Sequence, residues 1–154
     1  MITFQLEPWE YLIRDGQEIF VRHYEELSLE KDRVPLGMDF ACYQDLENKG
    51  YLHVLTCRKD GKLIGYYIAI VIAHHPHYKD SGPMSTTDMF YILPEFRTGG
   101  TGAKLLMMAA KTLKERGVTK ATISVKLKQD HTELLEKLGW IATDKIFSMN
   151  LEAK

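Results

Sequence analysis

Apolar positions along the chain recur with two different periods, and the switches between them lay out the elements. Ile2, Phe4 and Leu6 alternate with polar neighbours as in a half-buried edge strand, and Pro8 then allows a helix to begin. Leu12, Ile13, Phe20, Tyr24 and Leu27 fall roughly at helical spacing and predict one helix over residues 9–28. Glu25, Glu26, Glu30, Lys31, Asp32 and Arg33 read as a charged link, followed by a shorter helix over residues 39–49 that ends at Gly50. Residues 51–58 and 62–73 are rich in β-formers and flank Lys59-Asp60-Gly61, the strongest short hairpin signal in the chain, so their pairing is expected to be antiparallel. The second of them is apolar on both faces, which suits a central strand covered by helices on each side.

Residues 74–85, with His74, His75, Pro76, His77, Ser81, Gly82 and Pro83, describe a loop. Three histidines raise the question of a metal, but their spacing matches no zinc pattern and no cysteine or paired carboxylate adjoins them, so no metal site is expected. Residues 86–93 read as the next strand, with Thr86, Asp88 and Phe90 on one face and Thr87, Met89 and Tyr91 on the other. An acid in the middle of a short apolar strand is costly to bury alone. Asp88 therefore needs either a neighbouring backbone group or lysine, or a role as a base or amine anchor. After a glycine-rich turn, Leu105, Leu106, Met108, Ala109, Ala110 and Leu113 predict a broadly apolar helix, stopped by Lys114, Arg116 and Gly117. Ala121, Ile123 and Val125 alternate with polar residues, and a crossover helix would make that strand parallel to the one at residue 86. A helix over residues 131–138, closed by Gly139, and a final strand over residues 146–151 complete an α/β (α+β) pattern.

The stretch from Tyr91 to Lys104 carries the chemistry: a strand, a glycine turn and a helix, spelling Arg-x-x-Gly-x-Gly through Arg97, Gly100 and Gly102. Missing side chains let a ligand approach the backbone, and successive N–H groups with the helix N-terminus face an anion. The Gly-Lys-Ser/Thr ending of a nucleotide-triphosphate loop is absent, and a dinucleotide fold would place its glycines after the first strand. Length and composition add limits. A chain of 154 residues with 45% hydrophobic content is sized for one domain, residues 1–154. A net charge of -1 gives no reason to expect nucleic acid as a partner. Cys42 and Cys57 are too few for a disulfide framework, and the N-terminus lacks a secretion signal, so a reduced, cytoplasmic protein is expected. The most apolar run, residues 63–73, falls far short of the roughly 20 residues a membrane helix needs.

Arg97-x-x-Gly100-x-Gly102, preceded by Pro94-Glu95-Phe96, resembles the acyl-CoA loop of the GNAT acetyltransferase superfamily, and Leu134 to Trp140 resembles that family's Leu-Tyr-Glu-Lys-Leu-Gly-Phe segment. His74 to Tyr78 is further similar to short acetyltransferases of phages and prophages, which would place the protein in a host cytoplasm. The resemblance implies a GNAT fold, with a mixed central sheet of about six to seven strands, about four flanking helices and splayed central parallel strands. It implies acetyl-CoA as co-substrate. Backbone groups near Ile92 and Leu93 would bond its pantetheine amides, and N–H groups of Thr98, Gly99, Gly100, Thr101, Gly102 and Ala103 would hold its pyrophosphate. Arg97 and Lys104 could add charge there, although Lys104 reads more readily as an exposed, solvated lysine. Asp88 is the candidate base for the attacking amine. The family's tyrosine, commonly the acid toward the leaving thiolate, is Leu135 here, so either no acid is used, or His131 or Tyr91 substitutes, or the protein binds acyl-CoA without efficient turnover. The expected function is transfer of an acetyl group to an amine of a small molecule or protein. The alternative is a catalytically weak or inactive interaction protein of the same fold. Homodimers are common in the superfamily, and no stretch of this sequence marks an interface.

Overall fold

The computed structural model describes residues 1–152. The chain falls into two compact units, one from Met1 to Ile123 and the other from Ser124 onward. The first contains a sheet of five strands in the order β1-β2-β3-β4-β5: Ile2–Leu6, Leu52–Lys59, Lys62–Ile72, Met84–Ile92 and Lys120–Thr122. All neighbours are antiparallel except β4 and β5, which are parallel. The expected hairpin is present, with Asp60 at φ 49° and Gly61 at φ 84°, the left-handed pair that matches the twist of two antiparallel strands. β3 is buried on both faces from Leu63 to Ala69, as its continuous apolar run requires.

Four helices belong to this unit: α1 (Trp9–Asp15), α2 (Gln17–Leu27), α3 (Phe40–Asn48) and α4 (Thr101–Glu115). The single helix expected over residues 9–28 is broken at Gly16. A side chain there would meet the Leu12 carbonyl oxygen at 2.4 Å and the Phe20 ring at 2.7 Å, so the glycine permits the ring to close over the break. Asp39 caps α3 by accepting the Cys42 N–H at 2.9 Å. α4 buries Thr101, Leu105, Leu106, Ala109, Thr112 and Leu113, a one-sided stripe laid on β2 and β3. Its leucines, fully withdrawn from water, contribute about 1.5–3 kcal/mol each.

The second unit holds α5 (Thr132–Lys137), closed by Gly139 at φ 92°, and a bridge between Lys126 and Gln129. Among the described residues the sheet has five strands, not six to seven, and five helices replace the expected four. Residues 146–151 form no strand, because alternation makes a strand only where a neighbouring backbone completes the ladder. The strand expected over residues 121–126 spans Lys120–Thr122, although its parallel pairing with β4 is as read. Among the described residues no helix is long and apolar enough to cross a membrane.

One buried pair links the core to pH. His53 on β2 lies within 2.9 Å of the Thr112 hydroxyl, which itself donates to the Met108 carbonyl at 2.9 Å. Threonine must therefore accept, so His53 carries its proton on Nε2 and turns a bare Nδ1 toward Arg116, 3.4 Å away. Burial first, and the Arg116 charge second, push the imidazole from 6.5 down to about 4. A base whose folded pKa lies below its unfolded one is protonated more readily in the unfolded chain. Stability is then complete above about pH 6.5 and falls toward pH 4, by about 3 kcal/mol for this group. Urea unfolding of the wild type and of His53→Gln from pH 7 to 4 should show a steeper decline in the wild type.

Candidate active site

β4 delivers the site, and its pairing with β3 is irregular where the site begins. Ile68 faces Met89 and Ala69 faces Thr87, so Asp88 is an extra residue, a β-bulge. The bulge changes the expected faces. Thr87 and Phe90 lie opposite Ala69 and Tyr67 on one face, where the Tyr67 and Thr87 hydroxyls meet at 2.7 Å. Thr86, Met89 and Tyr91 lie opposite Ile70, Ile68 and Tyr66 on the other. Asp88 is exposed, not buried as a strand interior suggested, and it has a partner: the Tyr43 hydroxyl of α3 donates to Oδ2 at 2.5 Å. Tyr43 stacks on the buried Trp9 ring at 4.4 Å and 27°. Burial, and then the carboxylate of Asp88, push the Tyr43 phenol above its ordinary range. It therefore stays protonated and works as a hydrogen-bond donor.

The ladder between β4 and β5 stops at Thr86 and Thr122, two residues before the bulge. Beyond it β4 runs on to Ile92 without β5, which ends at Thr122. The Ile92 carbonyl accepts Arg97 Nε at 2.8 Å, the Leu93 N–H donates to Ile64 at 2.9 Å, and the Leu93 carbonyl accepts the Phe96 N–H at 2.9 Å. Residues Pro94–Phe96 form a single 3₁₀ turn.

After Arg97 the chain turns through Gly99 and Gly100 at φ 66° and 73°, conformations that a side chain would strain. Gly100 caps α4 without a side-chain bond. The N–H groups of Gly99, Gly100, Gly102 and Ala103 donate to no backbone carbonyl, among the described residues, while Thr101 bonds Thr98 and Lys104 bonds Gly100. Unpaired donors at the positive end of a 15-residue helix suit an anion. Lys104 is exposed beside them. Arg97, by contrast, is held: its two terminal nitrogens donate to Glu26 of α2, each at 2.7 Å, and its guanidinium lies over the Tyr91 ring. Tyr91 donates to the same carboxylate at 2.6 Å and stacks on His23 at 4.4 Å. The Arg97 bonds hold the Glu26 carboxyl below its usual range, against the opposing effect of burial.

His131 precedes α5 in the second unit, which also carries the buried Leu135. His75 and His77 are exposed and touch each other and Tyr78, and among the described residues no group of three or more histidine, cysteine or acidic side chains could hold a metal. A separate cleft of about 360 Å³ between α1 and the β2–β3 hairpin is lined in part by Arg14, Asp15 and Arg58, where Asp15 pairs with both arginines and Arg58 pairs also with Glu7. Sequence reasoning missed Tyr43, His23 and Glu26 as site residues. Glu26 read as one charge of a link, and nothing local connects Tyr43 to a residue 45 positions on.

A strand with a bulge, a glycine turn with unpaired N–H donors and a helix leading away belong to a fold that the comparisons place with the acetyltransferases. The family model described as "Acetyltransferase (GNAT) family" matches residues 9–140. The chain belongs to the acetyltransferase (GNAT) family, and its enzymatic class is that of the N-acetyltransferases. It is similar in structure to a ribosomal-protein-alanine N-acetyltransferase from Brucella melitensis biovar Abortus, with 17% identity, TM-score 0.72, and 99% of this chain and 100% of that one covered. Glucosamine-6-phosphate N-acetyltransferase from Arabidopsis thaliana is similar at 12% identity and TM-score 0.72, with 99% of each chain covered. A predicted acetyltransferase from Clostridium acetobutylicum with acetyl-CoA is similar at 16% identity and TM-score 0.69, with 98% of this chain and 97% of that one covered. At these identities the likeness is one of fold. No curated protein is significantly similar to the chain in sequence.

Proposed function

We propose that the protein is an acetyl-CoA-dependent N-acetyltransferase that passes the acetyl group directly to an amine of a small molecule or protein. The observation that carries this reading is the turn through Gly99 and Gly100, whose neighbouring N–H groups lack acceptors where β4 leads into α4. Those donors, at Gly99, Gly100, Gly102 and Ala103, fit the diphosphate of coenzyme A, with Lys104 adding charge from the surface. The open edge of β4 near Ile92 and Leu93 would run along the pantetheine arm. Bound acetyl-CoA would supply the activated thioester. The chain's own part is to hold an amine and remove its proton as the nitrogen forms its bond to the acetyl carbon and the carbon–sulfur bond breaks. Asp88 is proposed to take that proton, a reading supported by its exposure on the bulge and by the Tyr43 hydroxyl bound to its second oxygen. His131 is proposed as the group that returns a proton to the leaving thiolate in place of the family's tyrosine.

Leu135 supports a second reading, a protein of this fold that binds acyl-CoA and a partner with little turnover, because leucine offers no proton at that position. Incubation with acetyl-CoA and a panel of amines, polyamines and cell lysate, followed by thiol release and acetyl mass shifts, separates the two. Product from any acceptor is expected. Coenzyme A binding without product would favour the second reading, and no binding at all would refute both. In the same assay Gly100→Val, which forces a β-branched residue to positive φ at the helix cap, should abolish coenzyme A binding at concentrations that saturate the wild type.

A further inference from the structure

Two ion pairs of opposite sense join α2 to the turn between β4 and the glycine loop. Arg22 donates through both terminal nitrogens to Glu95, each bond 2.8 Å, and Glu26, one helical turn on, receives both terminal nitrogens of Arg97 at 2.7 Å. The partners are spaced i, i+4 on the helix and i, i+2 on the other side, so one face of α2 meets the middle of the Pro94–Phe96 turn and the residue that follows it. The third contact sets the second pair apart. Arg97 Nε donates to the Ile92 carbonyl at 2.8 Å, tying the guanidinium to the last residue of β4. Tyr91 completes the clamp by donating to Glu26 and lying beneath the guanidinium. Three of the five N–H donors of Arg97 are thus spent on protein oxygens, and its charge is matched by a carboxylate in bidentate contact. The arginine of the glycine motif is held inward, while the unpaired donors of the loop are backbone N–H groups.

We infer that Glu26 is a positioning residue for the glycine loop: it holds Arg97 as a strut that sets the path from Ile92 to Gly99, so that the loop grips its anion through the backbone and not through the guanidinium. The inference rests on the coenzyme A reading above. Its logic is mechanical. A turn of two left-handed glycines has no side chains to brace it, so its orientation is inherited from what precedes it, and the two pairs from α2 brace that stretch together with the 3₁₀ turn, the Leu93–Ile64 backbone bond and the Lys59 ammonium over the Phe96 ring. A backbone anion site works only if its N–H groups converge before the anion arrives. Glu26 and Arg97 are 71 residues apart, which couples the N-terminal helix pair to the loop.

The test is coenzyme A titration calorimetry on wild type, Glu26→Gln, Arg97→Lys, Arg97→Ala and the double variant Glu26→Gln/Arg97→Lys, well below each protein's unfolding temperature. Glutamine keeps the shape of Glu26 and lysine keeps the charge of Arg97, but neither can make the forked pair and the Ile92 contact together. The expected result is that each single variant binds coenzyme A roughly tenfold more weakly and that the double variant is no weaker than either single one. In turnover, KM for acetyl-CoA should rise by the same factor while kcat at saturation stays near wild type, a split that general loosening of the fold would not produce. Wild-type affinity in Arg97→Lys with loss in Arg97→Ala would make the charge itself the ligand and overturn the proposal. Unchanged or tighter binding in Glu26→Gln would also overturn it, since a carboxylate that only competes with the anion would be relieved by its removal. If the wild type does not bind coenzyme A, the cofactor reading itself falls. Binding by the wild type with either contrary variant result leaves that reading standing and removes only the strut.

Discussion

Replacing Asp88 with asparagine is expected to lower kcat/KM for amine acetylation by about 10²–10⁴-fold, the range over which a positioned proton acceptor contributes. The substitution is nearly isosteric, and its amide oxygen can still accept the Tyr43 hydroxyl, so the bulge and its neighbours are retained. What is lost is the capacity to take a proton. Coenzyme A affinity should stay within about twofold of wild type, because the unpaired donors proposed for the diphosphate begin only at Gly99, past the turn. Tyr43→Phe gives a second check. It leaves the carboxylate but removes the hydroxyl that orients it, and should lower the rate by a smaller factor than Asp88→Asn. Normal turnover in Asp88→Asn would remove Asp88 as the base.

The second large effect is on stability. Trp9 is fully buried at the start of α1, stacked on Tyr43, within 6.1 Å of the Phe20 and Phe40 ring centroids, and its indole N–H donates to the Phe40 carbonyl at 3.1 Å. Trp9→Ala should cost about 3–5 kcal/mol, the range for truncating a large core aromatic, which is a large part of the whole stability of a domain this size. Chemical denaturation should report it as a lower midpoint. Trp9→Phe keeps most of the ring contacts and loses the N–H donor, leaving the Phe40 carbonyl short of a partner, so its cost should be about 1–3 kcal/mol. A loss below about 1 kcal/mol in Trp9→Ala would mean that the rings of α1, α2 and α3 repack without it. Because Trp9 is the surface against which Tyr43 lies, Trp9→Phe should also lower turnover more than its modest stability loss implies.

How much of this was legible beforehand depended on the range of the interaction. The hairpin at Asp60-Gly61 was readable because two adjacent residues set its dihedrals. The strand, glycine turn and helix from Tyr91 to Lys104 were readable for the same reason, and α4 carries its stop signals within its own last turn. Helix breaks and strand ends were less so. Gly16 interrupts a helical pattern because the Phe20 ring closes over it, and residues 146–151 alternate like a strand but lack the neighbour that would make them one.

The sequence by itself determined the strand, glycine turn and helix from Tyr91 to Lys104 and the family they resemble, since both are written in contiguous residues whose backbone preferences are local. Only the tertiary structure decided what the candidate side chains do. The bulge that turns Asp88 outward exists because β3 and β4 are mismatched by one residue, a property of the pair and of neither strand alone. Tyr43 reaches Asp88 across 45 residues and Glu26 reaches Arg97 across 71, and charge or hydroxyl pairing at that separation depends on packing, which periodicity along one chain does not encode.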